Sequence, residues 1–116
     1  MTLFSDDVVG DEQLAGHFAG IDFLKGVVKG ISESYKPFRM VPQRVVISGE
    51  AACVIWRFEA TNRNGVPIGY RDKNGSLTSR QVIGANYFQV QNGRIVYIRT
   101  IHDCQPFRPF TNPEEF

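Results

Sequence analysis

The stretch "IGANYFQVQNGRIVYIRTIHD" (83–103) carries polar side chains among residues that favour strands. An Asn-Gly turn separates its two runs, which predicts an antiparallel hairpin. Because side chains alternate along a strand, Thr100 and His102 share one face with Ile98. Asn86, Thr100 and His102 therefore either decorate a solvated sheet face or line a pocket.

His102 is the residue of this stretch best suited to proton transfer, because imidazole titrates near neutral pH. A structural histidine at a strand end fits the same position equally well. Asp103 falls on the opposite face if the strand stays regular, so the adjacent pair is not expected to form a catalytic dyad. The two open interpretations of His102 are thus a proton shuttle and a structural residue.

The elements that would position these residues are a helix and four strands. Apolar residues at helical spacing predict an amphipathic helix from Ile21 to about Tyr35, ended by Pro37. "RVVIS", "AACVIWRFEAT", "RQVIGANYFQV" and "RIVYIRTIHD" predict strands in a meander. Residues 62–79 hold Asn-Gly twice, which predicts a long loop or an irregular hairpin end. The predicted fold class is α+β, a curved antiparallel sheet with helical cover on one face.

The length of 116 residues predicts a single domain, 1–116, with a proline-rich tail at 104–116. Thirteen basic and twelve acidic residues leave a net charge of +1, so no nucleic-acid partner is expected. A signal peptide and a membrane-spanning run are both lacking, which predicts a cytoplasmic protein with no membrane partner. Cys53 and Cys104 are too few for a metal cluster, and neither a metal nor a cofactor is predicted.

Four segments in this order resemble the nuclear transport factor 2-like superfamily, in its SnoaL-like and ketosteroid-isomerase-like branch. "LFSDDVV" resembles the end of that family's second helix entering a short strand, and "HFAGIDFLKGVVKGI" resembles its third helix. "SGEAACVIWRFEAT" and "GANYFQVQNGRIVYIRTIHD" resemble its first long strand and its closing hairpin. The resemblance implies a cone-shaped fold that opens on an apolar pocket, and a homodimer. Members include isomerases, polyketide cyclases and non-catalytic binding domains, so the fold alone leaves function open.

The N-terminus departs from the family pattern. The family begins with a long helix that closes the cone, whereas Met1 lies only two residues before "LFSDDVV". That helix is therefore expected to be missing or shortened, through truncation, through a late assigned start, or with a neighbouring subunit supplying the cover. In ketosteroid isomerases it carries a tyrosine that donates a hydrogen bond to the developing oxyanion, so its absence disfavours isomerase chemistry.

The resemblance also implies roles for individual residues. Asn86 falls where ketosteroid isomerases carry a protonated aspartic acid, and its neutral amide would donate a hydrogen bond to a substrate oxygen. The general base of that family stands just before the third helix, where counting from the two sides gives Asp11 or Glu12. Asp11 is slightly preferred as the catalytic carboxylate, and an exposed loop acid is the alternative for both.

His102 would return or relay the proton in this scheme. The residues assigned to substrate contacts are Ile55, Phe88, Ile98 and Thr100. Trp56 is interpreted as a core or interface aromatic. The predicted function is a cofactor-independent, isomerase- or cyclase-type enzyme acting on a small apolar carbonyl compound. The alternative is a non-catalytic dimeric domain of the same fold that binds a small ligand or serves as a scaffold.

Overall fold

The structure is a computed structural model that describes residues 3–13, 16–103 and 106–107. Within these residues it contains one α-helix and eight β-strands. They are β1 (Phe4–Glu12), β2 (Gly16–Ala19), α1 (Ile21–Ser34), β3 (Tyr35–Ser48), β4 (Ala51–Asn62), β5 (Tyr70–Arg71), β6 (Leu77–Ser79), β7 (Val82–Gln91) and β8 (Arg94–His102).

Six of the strands form one sheet in the order β2-β1-β8-β7-β4-β3, and β5 pairs with β6 in a separate small hairpin. The strands β3, β4, β7 and β8 are successive antiparallel neighbours, so the predicted meander forms four adjacent strands of the sheet, from its β3 edge inward. Strand β1 extends the sheet beyond β8, parallel to β8 and antiparallel to β2. One helix on a large, curved and unclosed sheet confirms the predicted α+β class.

Helix α1 confirms the amphipathic helix predicted from Ile21 onward. It follows Gly20, whose φ of 94° lies in a region that glycine adopts without steric cost. It ends at Ser34, because Tyr35 already has the extended φ of −128° and ψ of 114°. Leu24 is buried, and packing of this face offsets the low helix propensity of the two internal glycines.

Two segments differ from the sequence prediction. "LFSDDVV" is not a helix end, because Phe4 already begins strand β1. Strand β3 begins at Tyr35, well before the predicted start at Arg44, and its register shifts between Pro42 and Arg44. The prolines within β3 are tolerated because β3 is an edge strand, where one row of backbone groups has no neighbour in the sheet.

The hydrophobic core consists of two clusters on the inner face of the sheet, the face that bears Trp56 and His102. The Trp56 cluster comprises Trp56, Phe58, Ala60, Ile68, Val82 and Phe107. The Phe18 cluster comprises Val8, Phe18, Leu24 and Ile98. Phe107 brings part of the predicted tail into the core, whereas Cys104 and residues 108–116 lie outside the described residues. The core is therefore divided, and the divide is where the site lies.

Candidate functional site

A cavity of about 490 Å³ lies between helix α1 and the inner face of the sheet, where it meets members of both core clusters. Its apolar lining consists of Phe18, Leu24, Val27, Val28, Ile31, Met40, Trp56, Phe58, Ile98 and Phe107. Its polar side chains belong to Glu12, Ser34, Tyr35, Asn86, Thr100 and His102. An apolar cavity with a few converging polar groups is the usual form of a small-molecule site.

Strand register explains why the polar side chains converge. Asn86 pairs with Thr100 and Gly84 with His102 across β7 and β8, while Glu12 pairs with Thr100 across β1 and β8. Side chains of directly paired residues project from the same face of a sheet. The structure thus puts Asn86, Thr100 and His102 along a pocket rather than on a solvated face, and it adds Glu12.

Glu12 and His102 form a close pair at the edge of the cavity. His102 Nε2 lies 2.8 Å from Glu12 Oε1, and the two side chains are 6% and 17% exposed for His102 and Glu12 respectively. His102 Nδ1 lies 3.0 Å from the carbonyl oxygen of Asp103, which can only accept, so Nδ1 carries a proton. A bare Nε2 would then face a carboxylate oxygen, so a second proton must lie between the two side chains. The pair shares that proton as imidazolium and carboxylate or as imidazole and carboxylic acid.

The pKa of His102 favours the imidazolium form. Burial on its own would lower this pKa, because the charged ring loses hydration. The hydrogen bond with Glu12, the bond to the Asp103 carbonyl and the negative charges of both acids outweigh burial. They hold the pKa of His102 above its ordinary value of 6.5. The imidazolium form of His102 therefore persists to a higher pH than that of an unperturbed histidine.

Asp11, the carboxylate preferred from the sequence, does not line the cavity. It pairs with Arg99 on the outer face of the sheet, because neighbouring residues of a strand point in opposite directions. Its Oδ2 accepts a 2.7 Å hydrogen bond from the Tyr97 hydroxyl, and its Oδ1 lies 3.0 Å from His17 Nδ1. These bonds, the one from Tyr97 first, lower the pKa of Asp11 below its ordinary value of 3.8 and weaken it as a base. Of the two candidate carboxylates, Glu12 is the one in the cavity.

Asn86 carries its amide at the cavity wall, hydrogen-bonded to Trp56. The Trp56 Nε1–H donates to Asn86 Oδ1 over 3.2 Å. Asn86 is half-buried, and its amide nitrogen has no hydrogen-bond partner among the residues the structure describes. The side chain is therefore neutral, anchored through its oxygen and able to donate to a bound molecule.

The four predicted substrate contacts divide evenly. Ile98 and Thr100 line the cavity. Ile55 lies on the outer face and is exposed, because it alternates with the inward-facing Trp56 along β4. Phe88 shares the face of Asn86, but it packs against the Phe18 cluster and does not line the cavity.

Two aromatic residues of the cavity were not assigned to the site from the sequence. Trp56 is part of the core, as interpreted, and it also faces the cavity. Tyr35 lines the cavity as well, and burial raises the pKa of its hydroxyl, which keeps it a hydrogen-bond donor. Tyr35 begins strand β3 directly after the helix, and residue spacing alone gave no signal that it faces the cavity. Because side chains alternate along a strand, Trp56 and Ile55 must face opposite sides of the sheet, and only one of them can face the cavity.

The described residues hold no group of three or more His, Cys, Asp or Glu side chains arranged to bind a metal ion. The helix in the described part of the chain is too short and too polar to cross a membrane.

A sequence model of the SnoaL-like domain matches residues 1–98. Among solved structures, an NTF2-like protein from Burkholderia thailandensis E264 superposes with a TM-score of 0.76 at 14% identity, covering 96% of this chain and 82% of its own. No curated protein sequence matches the chain significantly.

Two further structures carry names that suggest chemistry. A Jannaschia sp. CCS1 protein assigned as a SnoaL-like polyketide cyclase gives a TM-score of 0.69 at 14% identity, with 88% of this chain and 68% of the other covered. A Rhodopseudomonas palustris protein assigned as an isomerase gives 0.67 at 21% identity, with 88% and 73% covered. At such low identity these similarities show the shared fold alone.

Proposed function

The chain belongs to the SnoaL-like domain family, and from this premise we propose that it is a cofactor-independent enzyme for acid–base chemistry on a small apolar carbonyl compound. The observation that carries the proposal is the Glu12–His102 pair, 2.8 Å apart, in the same apolar cavity as the Asn86 amide. A base, an acid and a hydrogen-bond donor around one bound molecule are the groups that enolisation requires.

The proposed reaction begins at Glu12. Its carboxylate takes a proton from the carbon next to the carbonyl; the C–H electron pair forms a carbon–carbon double bond, and the carbonyl oxygen becomes an enolate. The Asn86 N–H group donates to that oxygen and stabilises the developing charge. Where a carbon–carbon double bond is conjugated with the enolate, the His102 imidazolium gives its proton to the far carbon of that system, the double bond shifts, and an isomer forms. The proton on Glu12 then returns to His102 across their 2.8 Å contact. Alternatively, the enolate carbon attacks a second carbonyl carbon of the same molecule and closes a ring. The π electrons of that carbonyl move onto its oxygen, which takes the proton of the His102 imidazolium.

Deuterium exchange tests this assignment without knowledge of the natural substrate. The probes are 2-tetralone and 2-phenylcyclohexanone in D₂O, and NMR follows the loss of their α-protons. We expect the wild type to accelerate exchange above the buffer rate, and Glu12→Gln to lower the rate by at least a hundredfold, the low end of a general base's contribution.

Asp11→Asn is the matched control, because it removes the neighbouring carboxylate on the opposite face and should leave the exchange rate unchanged. Equal losses in the two variants would contradict the role of Glu12. A wild type that does no better than buffer with either ketone would contradict catalysis and favour a binding domain.

A non-catalytic ligand-binding domain is the second candidate function. The observation that favours it is that His102 already uses both ring nitrogens, one on Glu12 and one on the Asp103 carbonyl. Hydrogen bonds of this kind can stabilise the fold, so the pair has a structural role even without a substrate. This candidate predicts that the two ketones bind to the cavity without any exchange of their protons.

We also propose a homodimer formed through the outer face of the sheet. Ile55, Ala85 and Ile101 form a row across three strands, and Ile55, Ile101 and the nearby Ile83 are exposed. A contiguous apolar strip of this kind is typical of a self-complementary interface. Light scattering after gel filtration should give a dimer for the wild type and a monomer for Ile101→Lys. Ile47→Lys, at the far end of the edge strand, is the control that should stay dimeric.

A further inference from the structure

Trp56 decides which end of the Asn86 amide is available to a ligand. An indole nitrogen can only donate a hydrogen bond, so the amide atom 3.2 Å from it must be the oxygen. The amide NH₂ is then the hydrogen-bonding group that Asn86 still has to offer, and it donates to no other group among the described residues. Without the indole N–H, the amide could turn and present its oxygen instead.

The indole ring itself is firmly held. Trp56 is 5% exposed and pairs with Gly84 on the neighbouring strand, where any Cβ would overlap the ring. Phe58 packs edge-on against it with the ring centroids 6.5 Å apart. The donor therefore has a fixed position, and the orientation that it imposes on Asn86 is fixed as well.

The charges around the cavity narrow the class of ligand further. Its lining among the described residues includes Glu12 but neither lysine nor arginine. A carboxylate or phosphate on the ligand would find neither lysine nor arginine to pair with, and the His102 ring is already bonded to Glu12. The site is suited to an uncharged, mostly apolar molecule with an oxygen that accepts hydrogen bonds.

We propose that Trp56 is a positioning residue that orients the Asn86 amide, and that this makes the cavity selective for apolar compounds with a ketone-type oxygen. The inference deepens the proposed function and rests on it in one respect, namely that substrate occupies this cavity. Selectivity is a property of binding, so it can be measured separately from catalysis.

The test uses two probes with one skeleton, 2-tetralone and tetralin, which differ only in the ketone oxygen. Isothermal titration calorimetry gives the affinity of each probe for the wild type, Asn86→Leu and Trp56→Phe. We expect the wild type to prefer 2-tetralone about tenfold, the value of one hydrogen bond. The preference should vanish in Asn86→Leu and fall most of the way to unity in Trp56→Phe. The ratio of affinities cancels any loss of packing, because both probes lose it equally.

A spectroscopic measurement keeps the test decisive even where Trp56→Phe does not fold. The chain has a single tryptophan, so the indole N–H gives one resonance in a ¹H–¹⁵N spectrum. That resonance should move when Asn86→Leu removes the acceptor. An unmoved indole resonance, or an unchanged probe preference in a folded Trp56→Phe, would overturn the inference.

Glu12→Gln separates this inference from the proposed function. It should abolish deuterium exchange and leave the preference for 2-tetralone intact. A wild type with the preference but without exchange would leave the inference standing and defeat the proposed enzyme. A wild type that shows exchange but no preference would support the proposed enzyme and overturn the inference about Trp56.

Discussion

Two neighbouring acids, Asp11 and Glu12, each pair with a histidine, on opposite faces of the same strand. Asp11 Oδ1 lies 3.0 Å from His17 Nδ1, with the side chains 37% and 67% exposed. Glu12 Oε1 lies 2.8 Å from His102 Nε2, in surroundings closed to most solvent. The residue types and the N···O distances of the two pairs are nearly alike, and the pairs differ in their access to water. Neighbouring residues of a strand face opposite sides of the sheet. A difference of one position therefore decides whether a carboxylate–imidazole pair is a surface contact or part of a site.

The largest difference is expected in stability. Glu12→Leu should lower the free energy of unfolding by about 2 kcal/mol, because it leaves the His102 ring in a closed site without its acceptor. Asp11→Asn should cause no measurable change, because water replaces the lost contact on the outer face. Urea denaturation at neutral pH measures both values. Equal changes in the two variants would mean that burial does not distinguish the pairs.

The pH dependence of His102 sharpens the comparison. Because its pKa in the folded state is raised above 6.5, its contribution to stability is full below pH 6.5 and is lost as the pH rises through the folded-state pKa. NMR titration of the histidine Cε1 protons should give a midpoint above 6.5 for the resonance that His102→Asn removes. In Glu12→Gln this midpoint should fall, because burial, the largest influence on it, then acts with less opposition. A midpoint that stays raised would show that Glu12 is not the cause.

The smallest effect is expected on the outer face. Tyr97→Phe should raise the pKa of Asp11 toward 3.8, because the Tyr97 hydrogen bond is the main reason that it is lowered. The stabilisation linked to Asp11 is present above pH 3.8 and is lost as the pH falls through its folded-state pKa. Titration of the Asp11 carboxyl carbon by NMR measures the shift. Tyr87→Phe is the control: its ring lies beside Tyr97, and its hydroxyl accepts from Gln89, so the Asp11 titration should not move.

The sequence predicted the parts of the fold whose signals are local. Helix α1 and the β7–β8 hairpin follow from residue spacing and an Asn-Gly turn, and both form where they were expected. The position of Asn86, Thr100 and His102 on one face follows from alternation within that hairpin. These inferences need no knowledge of distant segments.

The choice between Asp11 and Glu12, by contrast, could not be made from local signals. It depends on the parallel pairing of β1 with β8, two segments at opposite ends of the chain, and a shift of one residue exchanges the two faces. Ile55 lies outside the cavity for a local reason, since its neighbour Trp56 occupies the inner face. The Trp56–Asn86 hydrogen bond joins two strands and has no counterpart in sequence spacing.

The division of the core has a thermodynamic consequence. Neither cluster is large. Because the space between them is a cavity, both clusters lack van der Waals contacts that a filled interior would supply. A compound bound in this space would pack against both clusters and supply these contacts. At a hundred times its dissociation constant it would add about 2.7 kcal/mol to folding. A rise in melting temperature across a library of uncharged ketones would therefore reveal the natural ligand class through the protein's own stability.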